Sequence, residues 1–173
     1  MPNTYYLPEL LAPVGNMEVL QTAITYKADA VYLGGPGLSL RAQSRGFSGK
    51  DLQKAVDLAQ KRGVKVYYCL NILARESELH KARQCLYQLQ DVPIQGLIVA
   101  DPGIISLAAQ ILPQIPIHLS TQANTSNSAA VRFWQDQGVS RVNLARELNC
   151  RDIRAIRQTV SDMELEIFVH GAM

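Results

Sequence analysis

The feature that most constrains the fold is a regular alternation of short apolar runs with longer amphipathic stretches. Seven runs have the length and composition of buried strands: 7–13, 29–35, 64–73, 96–101, 117–122, 141–147 and 164–170. Six stretches between them have helix length and helical spacing of apolar residues: 16–26, 49–62, 77–90, 103–112, 128–137 and 150–160. Because strand and helix alternate throughout, the sequence predicts an α/β fold built on a parallel sheet.

Residues at the ends of the predicted helices agree with these boundaries. Ser48 stands three residues before Asp51, and Asn149 stands three residues before Asp152. This spacing is typical of helix starts, where such side chains bind free backbone N–H groups. Gly63 follows a predicted helix, at a position that often needs a left-handed backbone. We therefore expect helix caps at Ser48 and Asn149.

Two architectures contain such a sheet, an open doubly wound sheet and a (β/α) barrel. A dinucleotide-binding open sheet carries GxGxxG after its first strand, but here that turn reads APVGN. We therefore expect a TIM-type barrel. A full barrel has eight strands and about 250 residues, so we expect one domain, 1–173, forming an incomplete barrel of seven strands and six helices without its closing unit. Its first and last strands would be unpaired edges through which copies could associate.

Composition and charge indicate a cytoplasmic protein without a membrane partner. No apolar run approaches the roughly 20 residues of a membrane span. Pro8 and Pro13 interrupt the apolar start of the chain, which has no basic leader. The net charge of +2 is too small to indicate nucleic acid by itself.

The three cysteines, Cys69, Cys85 and Cys150, lie far apart, and none belongs to a CxxC pair. An odd number of cysteines argues against a disulfide framework, and these spacings match no metal site. Cys69 lies inside an apolar run and is interpreted as a small buried residue. We therefore expect this chain to bind neither a metal nor a cofactor.

Polar residues occupy alternate positions in the last three predicted strands, and alternate residues share one face of a strand. Because the intervening apolar residues should meet the helices, the polar sets are predicted to point into the barrel. Barrel enzymes place their active sites at the carboxyl ends of the strands. The candidate catalytic residues are therefore His118, Ser120, Gln122, Arg146, Glu147 and His170. Asn143 shares the interior face, and Glu166 is interpreted as a structural partner of an Arg or Lys.

Simpler interpretations stay open for several of these residues. His118 and His170 are equally consistent with hydrogen-bonded core histidines. A protease site with Ser120 as nucleophile, His118 or His170 as base and Glu147 or Asp101 as orienting group can be drawn, but no spacing or known motif favours it.

Basic residues crowd two segments. Arg41, Arg45 and Lys50 lie in one predicted loop, and five arginines lie within 141–157. Solvated surfaces are one interpretation of these segments, and contacts to phosphate groups are the other.

Several long segments resemble the collagenase-like peptidase family. They are ELLAPVGN (9–16), ADAVYLGG (28–35), IVADPG (98–103), IHLSTQANTSNSAAVRFWQDQG (117–138), RVNLAREL (141–148) and EIFVHGAM (166–173). The loop SLRAQSRGF (39–47) adds a resemblance to the tRNA 5-hydroxyuridine hydroxylase branch of that family. The resemblance extends over the whole chain.

The resemblance implies hydroxylation of a wobble uridine in tRNA without molecular oxygen, with tRNA and the oxygen donor prephenate as partners. Arg41 and Arg45 would then bind RNA phosphates. The family name implies a peptidase as the alternative. A third possibility is an inactive fragment or an RNA-binding module.

The resemblance also implies an iron–sulfur cluster on four cysteines in full-length relatives. In the family pattern the first of these cysteines follows the FVHGA segment, whereas this chain ends at VHGAM. Cys69, Cys85 and Cys150 do not occupy the family positions. We therefore expect a cluster only in the full-length protein, and no activity from the fragment alone.

Overall fold

A parallel β-sheet forms the centre of the computed structural model, which describes residues 7–39 and 46–171. Within these residues the sheet has seven strands, hydrogen-bonded in chain order from first to last. The strands are β1 (Leu11–Pro13), β2 (Ala30–Gly34), β3 (Lys65–Leu70), β4 (Gly96–Val99), β5 (Ile117–Leu119), β6 (Arg141–Asn143) and β7 (Glu164–Glu166). All six strand pairs are parallel. This order is that of a (β/α) barrel, in which each strand pairs with the next.

Each connection between strands contains a helix. The helices are α1 (Met17–Thr25), α2 (Gly49–Lys61), α3 (Glu76–Gln88), α4 (Pro102–Ile111), α5 (Ser128–Asp136) and α6 (Cys150–Thr159). The predicted incomplete TIM-type barrel of seven strands and six helices is confirmed for the described residues. The strands β1 and β7 lie at the two ends of this sheet, and association through their edges stays a prediction.

The outer face of the sheet packs against the helices and holds the larger hydrophobic core. Alternate strand residues such as Val31, Leu97 and Val142 are fully buried there. Burial of such a side chain contributes roughly 1.5–3 kcal/mol. This core therefore supplies most of the apolar stabilisation and leaves the inner face free for other side chains.

The inner face holds a smaller apolar cluster in the middle of the barrel. Its buried members are Ala30, Tyr67, Cys69 and Ile98. Two polar regions lie on either side of this layer. One is a charged cluster near the amino ends of the strands, and the other is a cavity at their carboxyl ends.

All seven strands are shorter than the apolar runs that predict them. β5 ends at Leu119 and is followed by a single 3₁₀ turn, Thr121–Ala123. β6 ends at Asn143 and β7 at Glu166. The polar residues that follow these strands therefore lie on turns at the rim of the barrel.

The two predicted helix caps have different outcomes. The Asn149 side chain accepts hydrogen bonds from the backbone N–H groups of Arg151 and Asp152, and Asp152 completes a capping box. The prediction for Ser48 is wrong, because its side chain makes no capping hydrogen bond. Gly63 has the expected left-handed backbone, with φ of 72°.

Candidate functional site

A cavity of about 380 Å³ opens at the carboxyl ends of the strands. Its volume lies within the roughly 300–1,000 Å³ typical of small-ligand pockets. Polar side chains from the carboxyl ends of β3, β5, β6 and β7 converge on it: Asn71, Ser120, Gln122, Asn143, Arg146, Glu166 and His170. The cavity is therefore placed where barrel enzymes carry their active sites.

One wall of the cavity is a chain of hydrogen bonds around Ser120. The Ser120 hydroxyl, which is 4% exposed, accepts a long bond of 3.4 Å from Asn71 Nδ2 and donates to Gln122 Oε1 at 3.2 Å. The 3₁₀ turn that carries Gln122 is held by Thr121, whose hydroxyl donates to the Leu144 carbonyl. Because its oxygen accepts from Ser120, the Gln122 amide keeps its two N–H donors for another partner.

A second wall is formed by the last residues of β6 and β7. Asn143 Nδ2 donates to Glu166 Oε1 at 2.7 Å, and both residues line the cavity. Burial raises the pKa of Glu166, and the Arg141 guanidinium, 3.9 Å away, acts in the opposite direction. The interpretation of Glu166 as an interior structural partner is thus partly confirmed, but its main hydrogen bond is to an amide.

The rim of the cavity is formed by residues on the turns. Arg146 follows β6 and His170 follows β7; both are exposed and both line the cavity. Glu147, next to Arg146, is exposed but does not line the cavity. Four of the six candidate catalytic residues therefore line this cavity: Ser120, Gln122, Arg146 and His170. Glu147 and His118 do not.

His118 lies inside the barrel, below the cavity. Its ring packs edge-on against Tyr67 with centroids 4.6 Å apart, and the absence of a side chain at Gly96 makes room for it. Burial, assisted by the charge of Arg141, lowers the pKa of His118 to about 4. Its Nδ1 atom has no hydrogen-bond partner within the described part of the chain. His118 is therefore a neutral interior residue outside the cavity lining.

The charged cluster closes the amino end of the barrel. Glu9, just before β1, accepts hydrogen bonds from Lys65 Nζ at 2.7 Å, the Tyr67 hydroxyl at 2.7 Å and Arg141 Nη1 at 2.8 Å. Arg141 also contacts Glu164 at 2.8 Å. Burial alone would raise the pKa of Glu9, but these hydrogen bonds lower it to about 2. Since Glu9 and Arg141 are 132 residues apart, the cluster joins the beginning of the sheet to its end.

Arg41 and Arg45 lie outside the described residues, so their assignment to RNA stays a prediction. Ser39 is buried in the lining of the cavity. Of the basic stretch 141–157, Arg141 is buried in the charged cluster rather than solvated. Arg157 donates to the backbone oxygens of Ser161 and Met163.

The cysteines do not form a site that fits an iron–sulfur cluster. Cys69 and Cys85 are buried on β3 and α3, and Cys150 is exposed at the start of α6. Cys85 donates to the Tyr68 hydroxyl at 3.4 Å. Within the described residues, no group of three His, Cys, Asp or Glu side chains could hold a metal ion.

The alternative protease arrangement is not formed by the described side chains. Ser120 is bonded to Asn71 and Gln122, and neither contact is a base that could take its proton. His118 is packed against Tyr67 below the cavity.

One cavity residue and one cavity hydrogen bond escape sequence reasoning. Asn71 lies within an apolar run, and only the fold brings it to Ser120, 49 residues later. The Asn143–Glu166 hydrogen bond is likewise set by strand register, since these two residues are paired across β6 and β7. The alternation of polar residues places Asn143 and Glu166 on the interior face, but it does not predict the hydrogen bond between them.

No helix in residues 7–39 and 46–171 combines the length and apolar character needed to cross a membrane.

Comparisons with known proteins agree with this architecture. The family model described as Peptidase family U32 matches residues 15–173. The chain is 43% identical over 166 residues to the tRNA hydroxylation protein P1 of Bacillus subtilis strain 168, covering 96% of this chain and 39% of that protein. It is 38% identical over 165 residues to the 23S rRNA 5-hydroxycytidine C2501 synthase of Escherichia coli K12, covering 95% of this chain and 24% of that protein.

A solved structure, that of the U32 peptidase Mk0906, superposes with a TM-score of 0.75 at 19% identity. The match covers 96% of this chain and 70% of that one, and at this identity it supports the fold alone. The chain spans about two fifths of the length of the tRNA hydroxylation proteins it matches. Together these matches confirm the family resemblance drawn from the sequence.

Proposed function

This chain belongs to peptidase family U32, and we propose that it supplies the substrate-binding barrel of an RNA hydroxylase that acts on the wobble uridine of tRNA. The observation that carries the proposal is the polar cavity at the carboxyl ends of β3, β5, β6 and β7. Relatives named for hydroxylation of tRNA and of a ribosomal cytidine support RNA as the substrate. Both names describe a hydroxylation of RNA.

The cavity suits a single base that has left its stack. Enzymes that modify a base in RNA or DNA commonly bind it flipped out in a pocket, where side chains contact its hydrogen-bonding edge. Ser120, Gln122 and Asn143 offer both donors and acceptors in the lining of the pocket. Unpaired buried polar groups cost about 1–3 kcal/mol each, so a polar ligand is favoured over an apolar one.

The rim provides the positive charge that an RNA backbone or a carboxylate donor would need. Arg146 lies at the cavity opening, and a guanidinium binds phosphate or carboxylate through paired N–H donors. We propose that Arg146 contacts the anionic oxygen donor, of which prephenate is the example implied by the resemblance. Arg41 and Arg45 are proposed to contact RNA phosphates. Hydroxylation without molecular oxygen is part of the same proposal.

An iron–sulfur cluster, where the family carries one, would have to use cysteines other than those of this chain. Cys69, Cys85 and Cys150 lie on three different elements. The role proposed for this barrel is therefore binding and orientation of the base, in the cytoplasm where tRNA is found. Peptidase activity remains the alternative that the family name suggests.

The test is nucleoside analysis of tRNA from a strain of the source organism that lacks the gene for this protein. We expect hydroxyuridine-derived nucleosides to disappear and to return with the full-length wild-type gene. The Ser120→Ala/Gln122→Ala double variant should restore less than about a tenth, since transition-state contacts of this kind contribute 10²–10³-fold. Arg154→Ala, an exposed change on α6, should restore them fully.

Unchanged hydroxyuridine in the deletion strain would contradict the proposal. The peptidase alternative would instead gain support if the purified full-length protein cleaved gelatin and Ser120→Ala abolished that cleavage.

A further inference from the structure

Asn143 presents a buried hydrogen-bond acceptor that no described side chain or backbone group satisfies. The residue is 7% exposed, it lines the cavity, and its Oδ1 atom has no partner within residues 7–39 and 46–171. More than nine tenths of buried polar groups in proteins are hydrogen-bonded to protein or water. An orphan acceptor in the wall of a ligand cavity therefore indicates the position of a donor on the ligand.

The orientation of this acceptor is fixed by Glu166. Amide oxygen and nitrogen atoms are distinguished by their partners. The Glu166 oxygen lies 2.7 Å from Asn143 Nδ2, and an ionised carboxylate can only accept, so the amide nitrogen faces it. Oδ1 is then the atom left for a ligand. The pairing of Asn143 with Glu166 in the β6–β7 register holds the two side chains on the same interior face.

Gln122 supplies the opposite chemistry from another wall of the same cavity. Its oxygen accepts from Ser120, so its amide N–H groups face other partners. The cavity thus combines an acceptor at Asn143 with donors at Gln122. A uracil edge carries the complementary groups, with an N3–H donor between two carbonyl acceptors.

Resting on the proposed function, we propose that Asn143 selects uracil by accepting its N3–H, and that Glu166 acts as the positioning residue that keeps the amide oxygen turned toward the base. Cytosine has an acceptor at N3. Bound in the same place, it would put two acceptors against each other and leave Asn143 unsatisfied. A well-placed contact to a base edge discriminates roughly tenfold or more between bases.

The experiment measures binding of the full-length protein to anticodon stem-loop RNAs by fluorescence anisotropy. One RNA carries uridine at the wobble position and the other carries cytidine. For the wild type we expect uridine to bind about tenfold more tightly. In Asn143→Ala the two dissociation constants should become equal, because uridine binding weakens and cytidine binding does not.

Two further variants test whether Glu166 holds the Asn143 amide in the orientation that accepts from the base. Glu166→Gln should lower the preference severalfold, because a glutamine can also donate and lets the Asn143 amide turn. Glu164→Gln is the matched control: Glu164 lies two residues earlier on β7, contacts Arg141 in the charged cluster and does not line the cavity. It should keep the wild-type preference.

A wild-type measurement removes any dependence on variant folding. A stem-loop with 3-methyluridine at the wobble position lacks the N3–H donor and should bind as weakly as cytidine. The inference is overturned if wild type binds all three RNAs equally, or if Asn143→Ala retains the uridine preference. Loss of hydroxyuridine in the deletion strain together with either result would leave the proposed function intact and reject only this base-reading role.

Discussion

Arg141 shows how a single residue can organise the interior of this barrel. Its side chain is 12% exposed, and its guanidinium lies 2.8 Å from carboxylate oxygens of Glu9 and Glu164 and 5.2 Å from the centre of the Tyr67 ring. Burial alone would lower its pKa, but the hydrogen bonds to these carboxylates raise it. The cation therefore stays charged and binds the two ends of the sheet together.

Replacing Arg141 by methionine should destabilise the protein by about 3 kcal/mol, because Glu9 would remain partly buried without its main partner. Urea unfolding measures this change. The double variant Arg141→Met/Glu9→Gln should recover part of the loss, since it removes the unpaired charge as well. Arg154→Met, on the exposed surface of α6, should stay within about 0.5 kcal/mol of wild type. A loss below about 1 kcal/mol for Arg141→Met would contradict the account.

His118 makes stability depend on pH in a defined direction. Its pKa falls from 6.5 in the unfolded chain to about 4 in the folded protein. Above pH 6.5 both states are neutral at this residue. Between pH 6.5 and 4 the unfolded state takes up a proton that the folded state does not, so folding loses roughly 1.4 kcal/mol per pH unit.

The measurement is urea unfolding of wild type and His118→Gln at several pH values. We expect the wild type to lose up to roughly 3 kcal/mol more than the variant between pH 7 and 4. Glu9, whose pKa is lowered to about 2, adds its own loss as the pH falls below about 4.5 in both proteins. Parallel pH profiles for the two proteins would show that His118 is not held neutral.

At the level of elements, alanine substitutions at the two predicted helix caps, Asn149 and Ser48, should change stability by different amounts. Asn149→Ala should cost about 1 kcal/mol, because its side chain holds two backbone N–H groups at the start of α6. Ser48→Ala should change stability by less than about 0.5 kcal/mol, because the Ser48 side chain makes no capping bond. Equal losses in urea unfolding would contradict this assignment of the caps.

Local sequence pattern predicts the elements of this fold well and their ends less well. Apolar runs with strand length locate all seven strands, because burial on both faces requires such runs. The turn at Thr121–Ala123 escapes the pattern, because a hydrogen bond from Thr121 to Leu144 on the next strand connection helps hold it. The alternation of polar residues does predict the interior face that carries Asn143 and Glu166.

Contacts between distant segments account for what the sequence does not predict. The partners of Glu9 are on β3 and β6, and those of Ser120 include Asn71 on the segment after β3. No local pattern encodes such pairs. His118 has the right periodicity for the interior, but the depth at which it lies follows from the stagger of the strands, which pairs it with Ile98 and Arg141.

On the scale of the whole molecule, the barrel carries a charged cluster at one end and a polar cavity at the other. The charged cluster of Glu9, Lys65, Arg141 and Glu164 lies at the amino ends of the strands. The polar cavity lies at the carboxyl ends, and the apolar layer around Tyr67 and Ile98 separates the two. The two regions meet at one point, where Arg141 of the charged cluster lies 3.9 Å from Glu166 in the cavity wall.

The central claim is that the wobble base enters this cavity, and a photo-crosslink tests it most directly. An anticodon stem-loop with 4-thiouridine at the wobble position is irradiated with the full-length protein, and the linked peptide is identified by mass spectrometry. We predict attachment within residues 120–123 or 143–146, at the carboxyl ends of β5 and β6. Attachment confined to the outer helices, or to the charged cluster at the opposite end of the barrel, would contradict the account.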